Sequence, residues 1–391
     1  MNSPIQAKIP WTLHTLSTDN HLRTIPDIDH GADLYLKHQG RTLLNLASNN
    51  YLGLAGSDRL KQAAVKGVNS YGTSSSASRL ISGNYHIYDQ LEKGLCRFKK
   101  KPAALVTGSG YAANLCILGS LAGRKSIILS DRLNHASITD AALLSRARSV
   151  RYRHADMDHL EFLLKKNQGY PEKILITDTV FSMDGDTALL LDIVELCQKH
   201  QVLIAVDEAH ATGIFGKGKG LAHHLGLEDE IQIHMGTFSK ALGSYGGYIA
   251  SESDIISLII NRARPFIFST ALPPAVVGAS LAGLNSVMES PEKGRELLDM
   301  AGNLRSFLQD LGFDTGQSTT QIIPVILGSS SLVLQAHEKL IRSGIFAGAV
   351  RPPTVPSGTA RLRLSLRTDM SPEEIEMVKQ AFILLKKQLA L

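Results

Sequence analysis

The chain has 391 residues, 43% of them hydrophobic and 20% charged, which excludes a disordered or fibrous protein and is too long for one ordinary domain. Its 41 basic and 36 acidic residues leave a net charge of +5, an excess too small and too scattered to mark a nucleic-acid surface. Cys96, Cys116 and Cys197 are far apart and form no CxxC pair, which argues for a reducing compartment and against a disulfide framework or a zinc site.

In chain order, the opening MNSPIQAKIPWTLHTL lacks the apolar run of a secretory signal, so a cytoplasmic protein is expected. Residues 1–43 show no sustained period and are expected to form an N-terminal arm. From 44 to 285 short apolar runs alternate with helical patterns. Strands are expected at Ala103–Thr107, Ser126–Leu129, Lys173–Thr177, Val202–Val206, Ile233–Met235 and Gly247–Ala250, with a helix such as Leu189–Lys199 between them. That alternation implies a large three-layer α/β domain with a mainly parallel sheet, both faces covered. Residues 286–391 change texture: strands Gln321–Leu327 and Arg361–Leu366 among helices imply a smaller C-terminal α+β domain. Its last helix should start with Ser371 as cap, Pro372 in the first position and Glu374 closing a capping box. Two stretches free of charge, Pro102–Gly123 and Pro265–Met288, carry polar residues with glycines or prolines, so buried segments are expected rather than membrane spans.

Four motifs carry chemistry. TGSGYAAN (Thr107–Asn114) runs from strand through glycine loop into helix, which aims backbone N–H groups and the positive helix end outward as a phosphate cradle. It equally satisfies the dinucleotide pattern GxGxxA through Gly108, Gly110 and Ala113, with Asp131 where a ribose-binding acid would stand, so a nicotinamide-dependent oxidoreductase is open at this point; so is a tight turn of purely structural purpose. VDEAH (Val206–His210) ends a strand. It matches a helicase string, but no GxxxxGK[ST] loop accompanies it; Asp207 then faces a ligand crevice or is a buried acid satisfied by loop amides. In TFSKALGSYGG (Thr237–Gly247), Lys240 sits between small polar residues and glycines, a setting for an amine kept partly neutral for Schiff-base chemistry, or for an ordinary loop lysine. His135 follows a strand end in LSDRLNHASI, where a structural and a catalytic histidine are both compatible.

Taken together, a glycine loop, a histidine, an aspartate and a lysine all fall at carboxyl ends of strands of one sheet. Pyridoxal 5′-phosphate (PLP) needs that set: donors for its phosphate, a face to stack on, a carboxylate for its pyridinium nitrogen and an amine for its aldehyde. A nicotinamide cofactor accounts only for the first.

From about Leu44 to Leu366 the sequence resembles the α-oxoamine synthases, a fold-type I PLP family. LNLASNNYLGL, SRLISGN, TGSGYAAN, SDRLNHAS, TDTVFSMDGD, VDEAHATGIFG, GTFSKALG and RPPTVPSGTARLRLSL carry the likeness, in order and with matching spacing. The resemblance implies that Lys240 holds PLP as a Schiff base and moves the substrate Cα proton, that Asp207 pairs with the ring nitrogen, that His210 and Ser182 serve the phenolic oxygen, and that His135 stacks on the ring. It implies phosphate contacts from Gly110, Tyr111 and Thr237, with Thr270 supplied by a second subunit of a homodimer. Asn49 and Arg351 are implied for the amino-acid carboxylate, and Arg23 and Thr354 for the acyl substrate. Two positions depart from the family pattern: Asn50 stands where aspartate is common, and Ser74–Ser78 replaces a glycine-richer run. PFIFSTALPPA and the final motif resemble most the branch that condenses L-alanine with a pimeloyl thioester of coenzyme A or acyl carrier protein and releases CO2. Sister branches make aminoketobutyrate, as glycine C-acetyltransferases do, or aminolevulinate or ketosphinganine. Neither a nucleic-acid partner, a membrane nor a metal is expected.

Overall fold

The computed structural model describes residues 3–31 and 33–389. They form two compact units: a larger one from Asn49–Ser182 and Asp186–Leu298, and a smaller one from residues up to Ser48, Met183–Gly185 and the segment from Asp299 onward.

The N-terminal segment is more structured than its sequence suggests. Pro4–Thr18 is a helix whose capping box joins Ser3 and Gln6: Ser3 N–H donates to Gln6 Oε1 at 2.8 Å, and Gln6 N–H donates to Ser3 Oγ at 3.3 Å. It buries none of its residues, so no apolar stripe announces it; the Ser-x-x-Gln pattern is the signal that does. The strands β1 (Ile28–His30), β2 (Tyr35–His38) and β3 (Arg41–Asn45) follow as an antiparallel ribbon. β3 also pairs in parallel with the distant strand Ile345–Phe346, and so this segment belongs to the smaller unit rather than standing apart as an arm.

The larger unit is built on seven strands: β4 (Ala103–Thr107), β5 (Ser126–Asp131), β6 (Arg148–Tyr152), β7 (Glu172–Asp178), β8 (Leu203–Asp207), β9 (Ile233–Thr237) and β10 (Gly247–Ser251), in the order β4-β10-β9-β8-β7-β5-β6. All pairs from β9 to β6 are parallel, and β10 runs antiparallel to both β9 and β4. Every residue of β5, β9 and β10 is buried, as strands covered on both faces must be. The sequence reading misses β6, an edge strand whose Arg148, Ser149 and Arg151 are exposed, leaving no apolar run to read. Helix Gly110–Leu121 buries Ala113, Cys116 and Ile117 in one core with Leu105, Ile128, Ile176, Met235 and Ile249 of the sheet. Each large apolar side chain so buried contributes about 1.5–3 kcal/mol. All three cysteines are free, and burial pushes the Cys116 and Cys197 thiols up to about 12, which leaves them unreactive. Parallel β5, β7, β8 and β9 end together, bringing Asp131, Asp178, Asp207 and Thr237 to one edge.

In the smaller unit β11 (Ile322–Gly328), β12 (Ile345–Phe346), β13 (Gly348–Val350) and β14 (Ala360–Ser365) divide between two sheets, with β14 at the centre of the second. Arg361 on β14 is buried and reaches Asp184 Oδ1 at 2.6 Å, which ties Met183–Gly185 to this unit. The closing helix Pro372–Leu389 carries its expected capping box: Ser371 N–H donates to Glu374 Oε2 at 2.5 Å, and Glu374 N–H donates to Ser371 Oγ at 3.5 Å. Among the described residues no helix is long and apolar enough to cross a membrane.

Candidate active site

A cavity of about 230 Å³ opens at the carboxyl ends of the parallel strands, lined by residues from five of the loops that leave them. The glycine loop after β4 forms one wall. Ser109 caps the following helix by accepting the Ala112 N–H at 3.0 Å, and Gly110 and Tyr111 occupy its first turn, where helical N–H groups lack an intrahelical acceptor. A Cβ on Gly247 would stand 2.5 Å from the Ser109 carbonyl oxygen, and one on Gly110 would stand 3.0 Å from Met235 Cε, so the loop lies tightly against β9 and β10. The Tyr111 hydroxyl is committed to Asp140, a bond that raises the phenol above its ordinary value, and the ring sits edge-on to His135 with centroids 6.3 Å apart.

Opposite that cradle lie two buried carboxylates on neighbouring strands, Asp178 and Asp207, paired in register. Asp207 Oδ1 accepts from the Ala209 N–H at 2.9 Å and Oδ2 from Asn114 Nδ2 at 2.8 Å. Asp178 Oδ2 accepts from the His135 N–H at 2.6 Å. Burial, reinforced by the Asp207 charge, pushes Asp178 well above the usual carboxylate range. His135 caps the helix Ala136–Leu144, its Nδ1 facing both the Ser137 hydroxyl at 2.8 Å and the Ser137 N–H at 3.3 Å. Burial lowers the pKa of this ring; the Lys240 charge adds to the lowering and the Asp207 charge works against it. His210 is buried with its Nδ1 2.6 Å from the Tyr51 hydroxyl.

Lys240 enters from the connection between β9 and β10. That loop is closed by Phe238 N–H to the Gly246 carbonyl at 3.0 Å and Ser244 N–H to the Phe238 carbonyl at 2.8 Å. Gly243, at φ +68°, makes the turn where a Cβ would stand 2.6 Å from the Ala55 nitrogen, so glycine is required there on both counts. The Thr237 hydroxyl donates to the Gly246 carbonyl at 2.7 Å and accepts from Ser239, which orders the loop just ahead of the lysine.

Of the residues singled out from sequence, Gly110, Tyr111, His135, Ser182, Asp207, His210, Thr237 and Lys240 all line this cavity. Thr270 does not; it is exposed beside a separate crevice with Arg79 and Phe266. Asn49 belongs to the larger unit and its Oδ1 accepts from the Tyr51 hydroxyl at 3.2 Å. Arg23, Arg351 and Thr354 belong to the smaller unit, where Arg23 Nη2 donates to Thr354 Oγ1 at 3.1 Å and Arg351 Nη1 to the Asn20 carbonyl at 2.6 Å. Sequence reading missed Asn114, Ser137, Tyr51, Asp178 and Gly247. All of them stand in a quoted motif, and the periodicity of their elements marks none of them as polar contacts. The dinucleotide reading is overturned here as well: Asp131 is occupied by His154, 3.0 Å from its Oδ1, and antiparallel β10 intervenes between the glycine-loop strand and the rest of the sheet.

The cavity suits one kind of ligand. An anionic end fits the helix N-terminus at Gly110, a cationic ring nitrogen fits the buried Asp207 beside its acidic neighbour, and a carbonyl fits the lysine. Those features define a PLP-dependent transferase of fold type I. Comparison with known proteins agrees. Residues 41–382 match the family model "Aminotransferase class I and II". A Bacillus cereus protein named "Putative 8-amino-7-oxononanoate synthase" is 42% identical over 390 residues, 99% of each chain. Among solved structures, the Sphingomonas wittichii serine palmitoyltransferase superposes with a TM-score of 0.93 at 29% identity, covering 99% of this chain and 98% of that one. The Francisella tularensis 8-amino-7-oxononanoate synthase gives 0.77 at 25% identity, covering 89% and 98%. The chain belongs to the aminotransferase class I and II family and, within it, to the α-oxoamine synthases.

Proposed function

We propose that this enzyme condenses L-alanine with a pimeloyl thioester, giving 8-amino-7-oxononanoate, CO2 and the free thiol, a step of biotin biosynthesis. The observation that carries the chemistry is the meeting of Lys240, Asp207, His135 and His210 around one cavity of about 230 Å³. The choice of substrates is supported by the relative quoted above, 42% identical along nearly the whole chain.

Bound PLP supplies an electron sink, first for charge at the amino-acid Cα and again when the carboxylate leaves. Lys240 would anchor it and, once displaced by alanine, take the Cα proton and later return one. Asp207, turned by its two donors, would face the ring nitrogen and balance its positive charge. His135 would cover one face of the ring, while His210 and Ser182 would donate to the phenolic oxygen. The first-turn N–H groups of Gly110 and Tyr111, with the Thr237–Ser239 pair, would hold the phosphate. Thr270 lies outside its own chain's cavity and would serve that of the second copy in a homodimer.

The substrates are acids, and the chain offers cations for them. Burial lowers the Arg351 pKa and the charge of Arg23 lowers it further, so the two guanidiniums share a neighbourhood that a carboxylate would relieve. In the larger unit Asn49 would serve the alanine carboxylate; in the smaller unit Arg351 would offer a carboxylate its planar fork, and Arg23 and Thr354 would serve the acyl substrate. The close superposition on a serine palmitoyltransferase favours a second reading, serine with a long acyl chain. Measuring kcat/KM for pimeloyl, acetyl, succinyl and palmitoyl thioesters against alanine, glycine and serine decides. The proposal expects pimeloyl with alanine. Preference for palmitoyl with serine supports the second reading, and acetyl with glycine points to a glycine C-acetyltransferase.

A further inference from the structure

Asn114 is fully buried in the helix that starts at the glycine loop, yet its amide serves no helix and no sheet. Nδ2 donates twice, to Asp207 Oδ2 at 2.8 Å and to Ser137 Oγ at 2.9 Å, while Oδ1 is buried without a partner. The amide orientation follows from this. A flipped Asn114 would set its oxygen against the Asp207 carboxylate, so leaving that oxygen unpaired is the lesser cost. Ser137 continues the chain. Its oxygen accepts from Asn114, which turns its single hydrogen toward His135 Nδ1 at 2.8 Å; the Ser137 N–H points at the same nitrogen from 3.3 Å. With two donors aimed at it, Nδ1 must present its lone pair, and the ring proton sits on Nε2.

We infer that Asn114 is a positioning residue that sets two groups at once, the plane of the Asp207 carboxylate directly and the neutral Nε2–H form of His135 through Ser137. The inference rests on the PLP reading for its purpose, since Asp207 and His135 are the residues proposed to face the ring nitrogen and the ring, but its geometry stands without the cofactor. One buried amide thereby couples the residue beneath the ring nitrogen to the residue over the ring, although they come from different strands.

The test uses Asn114→Ala and Ser137→Ala in the full-length protein. Both break the path to His135, and only the first frees Asp207. In apo protein labelled with ¹⁵N-histidine, the His135 ring signal, assigned by its loss in His135→Gln, should show a single Nε2–H tautomer in the parent. In both variants it should become a mixture of tautomers that titrates at a higher pH. With PLP added, the pH midpoint of the visible absorption should move in Asn114→Ala and hold in Ser137→Ala, and PLP affinity should fall roughly tenfold in Asn114→Ala alone. A well-folded Ser137→Ala whose His135 keeps the parent tautomer and titration overturns the relay, and this variant decides the matter if Asn114→Ala does not fold. An unchanged absorption midpoint and affinity in a folded Asn114→Ala overturns the arm to Asp207. Because the tautomer is read without cofactor, failure of the parent to bind PLP would count against the proposed function and leave this measurement standing.

Discussion

The Tyr51 hydroxyl lies 2.6 Å from His210 Nδ1, across 159 residues of sequence, and both side chains are buried. The same hydroxyl reaches Asn49 Oδ1 at the longer distance of 3.2 Å. One hydroxyl thus holds both the His210 ring and the Asn49 amide. Tyr51→Phe should therefore fold, with a stability loss of about 1 kcal/mol from the missing hydrogen bond. It should also release the His210 ring and shift the visible spectrum of bound PLP. Urea unfolding and a pH series of absorption spectra check both; a spectrum that matches the parent at every pH would show that the tyrosine only packs.

Lys240→Ala should fold normally, because the change removes a partly exposed amine beside a cavity and no core packing. Turnover should drop by at least roughly 10²–10⁴-fold with loss of the proton-moving amine. Intact-mass measurement after borohydride treatment should find the PLP adduct on the parent and none on the variant. A reducible adduct retained by the variant would place the anchor elsewhere.

Asp207→Asn should still bind PLP, since the phosphate cradle at Gly110 is untouched. An amide cannot balance a positive ring nitrogen, so exchange of the alanine Cα hydrogen with solvent should slow by about 10²–10³-fold. The neighbouring Asp178 should at the same time ionise more easily, because the Asp207 charge is the second cause of its raised pKa after burial. Exchange at near the parent rate would mark Asp207 as a structural acid.

His154 is clasped between Asp131, 3.0 Å from Nδ1, and Asp186, 2.7 Å from Nε2. Burial disfavours its charge, but the two carboxylates prevail and lift its pKa to about 10 from an ordinary 6.5. Since the folded value lies above the unfolded one, the stabilisation is complete below about pH 6.5 and drains away as pH rises toward 10. The stability gap between the parent and His154→Gln should thus be widest near pH 6 and narrow steadily on the alkaline side. Urea midpoints measured for both across that range give the answer, and a constant gap would refute the ion-pair account.

Glu208 follows Asp207 directly but serves a different purpose. Its Oε2 lies 2.7 Å from the Lys99 ammonium and its Oε1 accepts the Ala222 N–H at 3.0 Å, with both charged side chains fully buried. Burial opposes the Glu208 charge; Lys99 and His234 overcome it and hold the carboxyl below its usual range. Lys99→Met leaves that buried charge to the His234 ring and the Ala222 N–H alone and should cost ~3–5 kcal/mol, whereas adding Glu208→Gln should restore much of the loss by removing the charge too. Denaturant unfolding of the single and double variants checks the sign of that recovery.

The α/β architecture was legible because parallel strands buried on both faces read as short apolar runs, and Gly, Asp and Lys at their ends stand out against them. Gly110, His135, Asp207 and Lys240 were found in that way, each from its own local pattern, whereas His210 came only through the family resemblance. The missed elements lack such a signal: β6 exposes arginines at the sheet edge, and the first helix buries nothing. What only the tertiary structure decided are relations between distant segments. It joined the N-terminal ribbon to the C-terminal segment through β3 and β12, because a ladder of backbone hydrogen bonds needs a partner strand and no residue type names it. It set Asn114 against Asp207, 93 residues away, and Tyr51 against His210. Periodicity reports which face of an element is buried; which buried polar group meets which depends on strand order and on where each loop leaves the sheet, and those are settled by the packing of the whole chain.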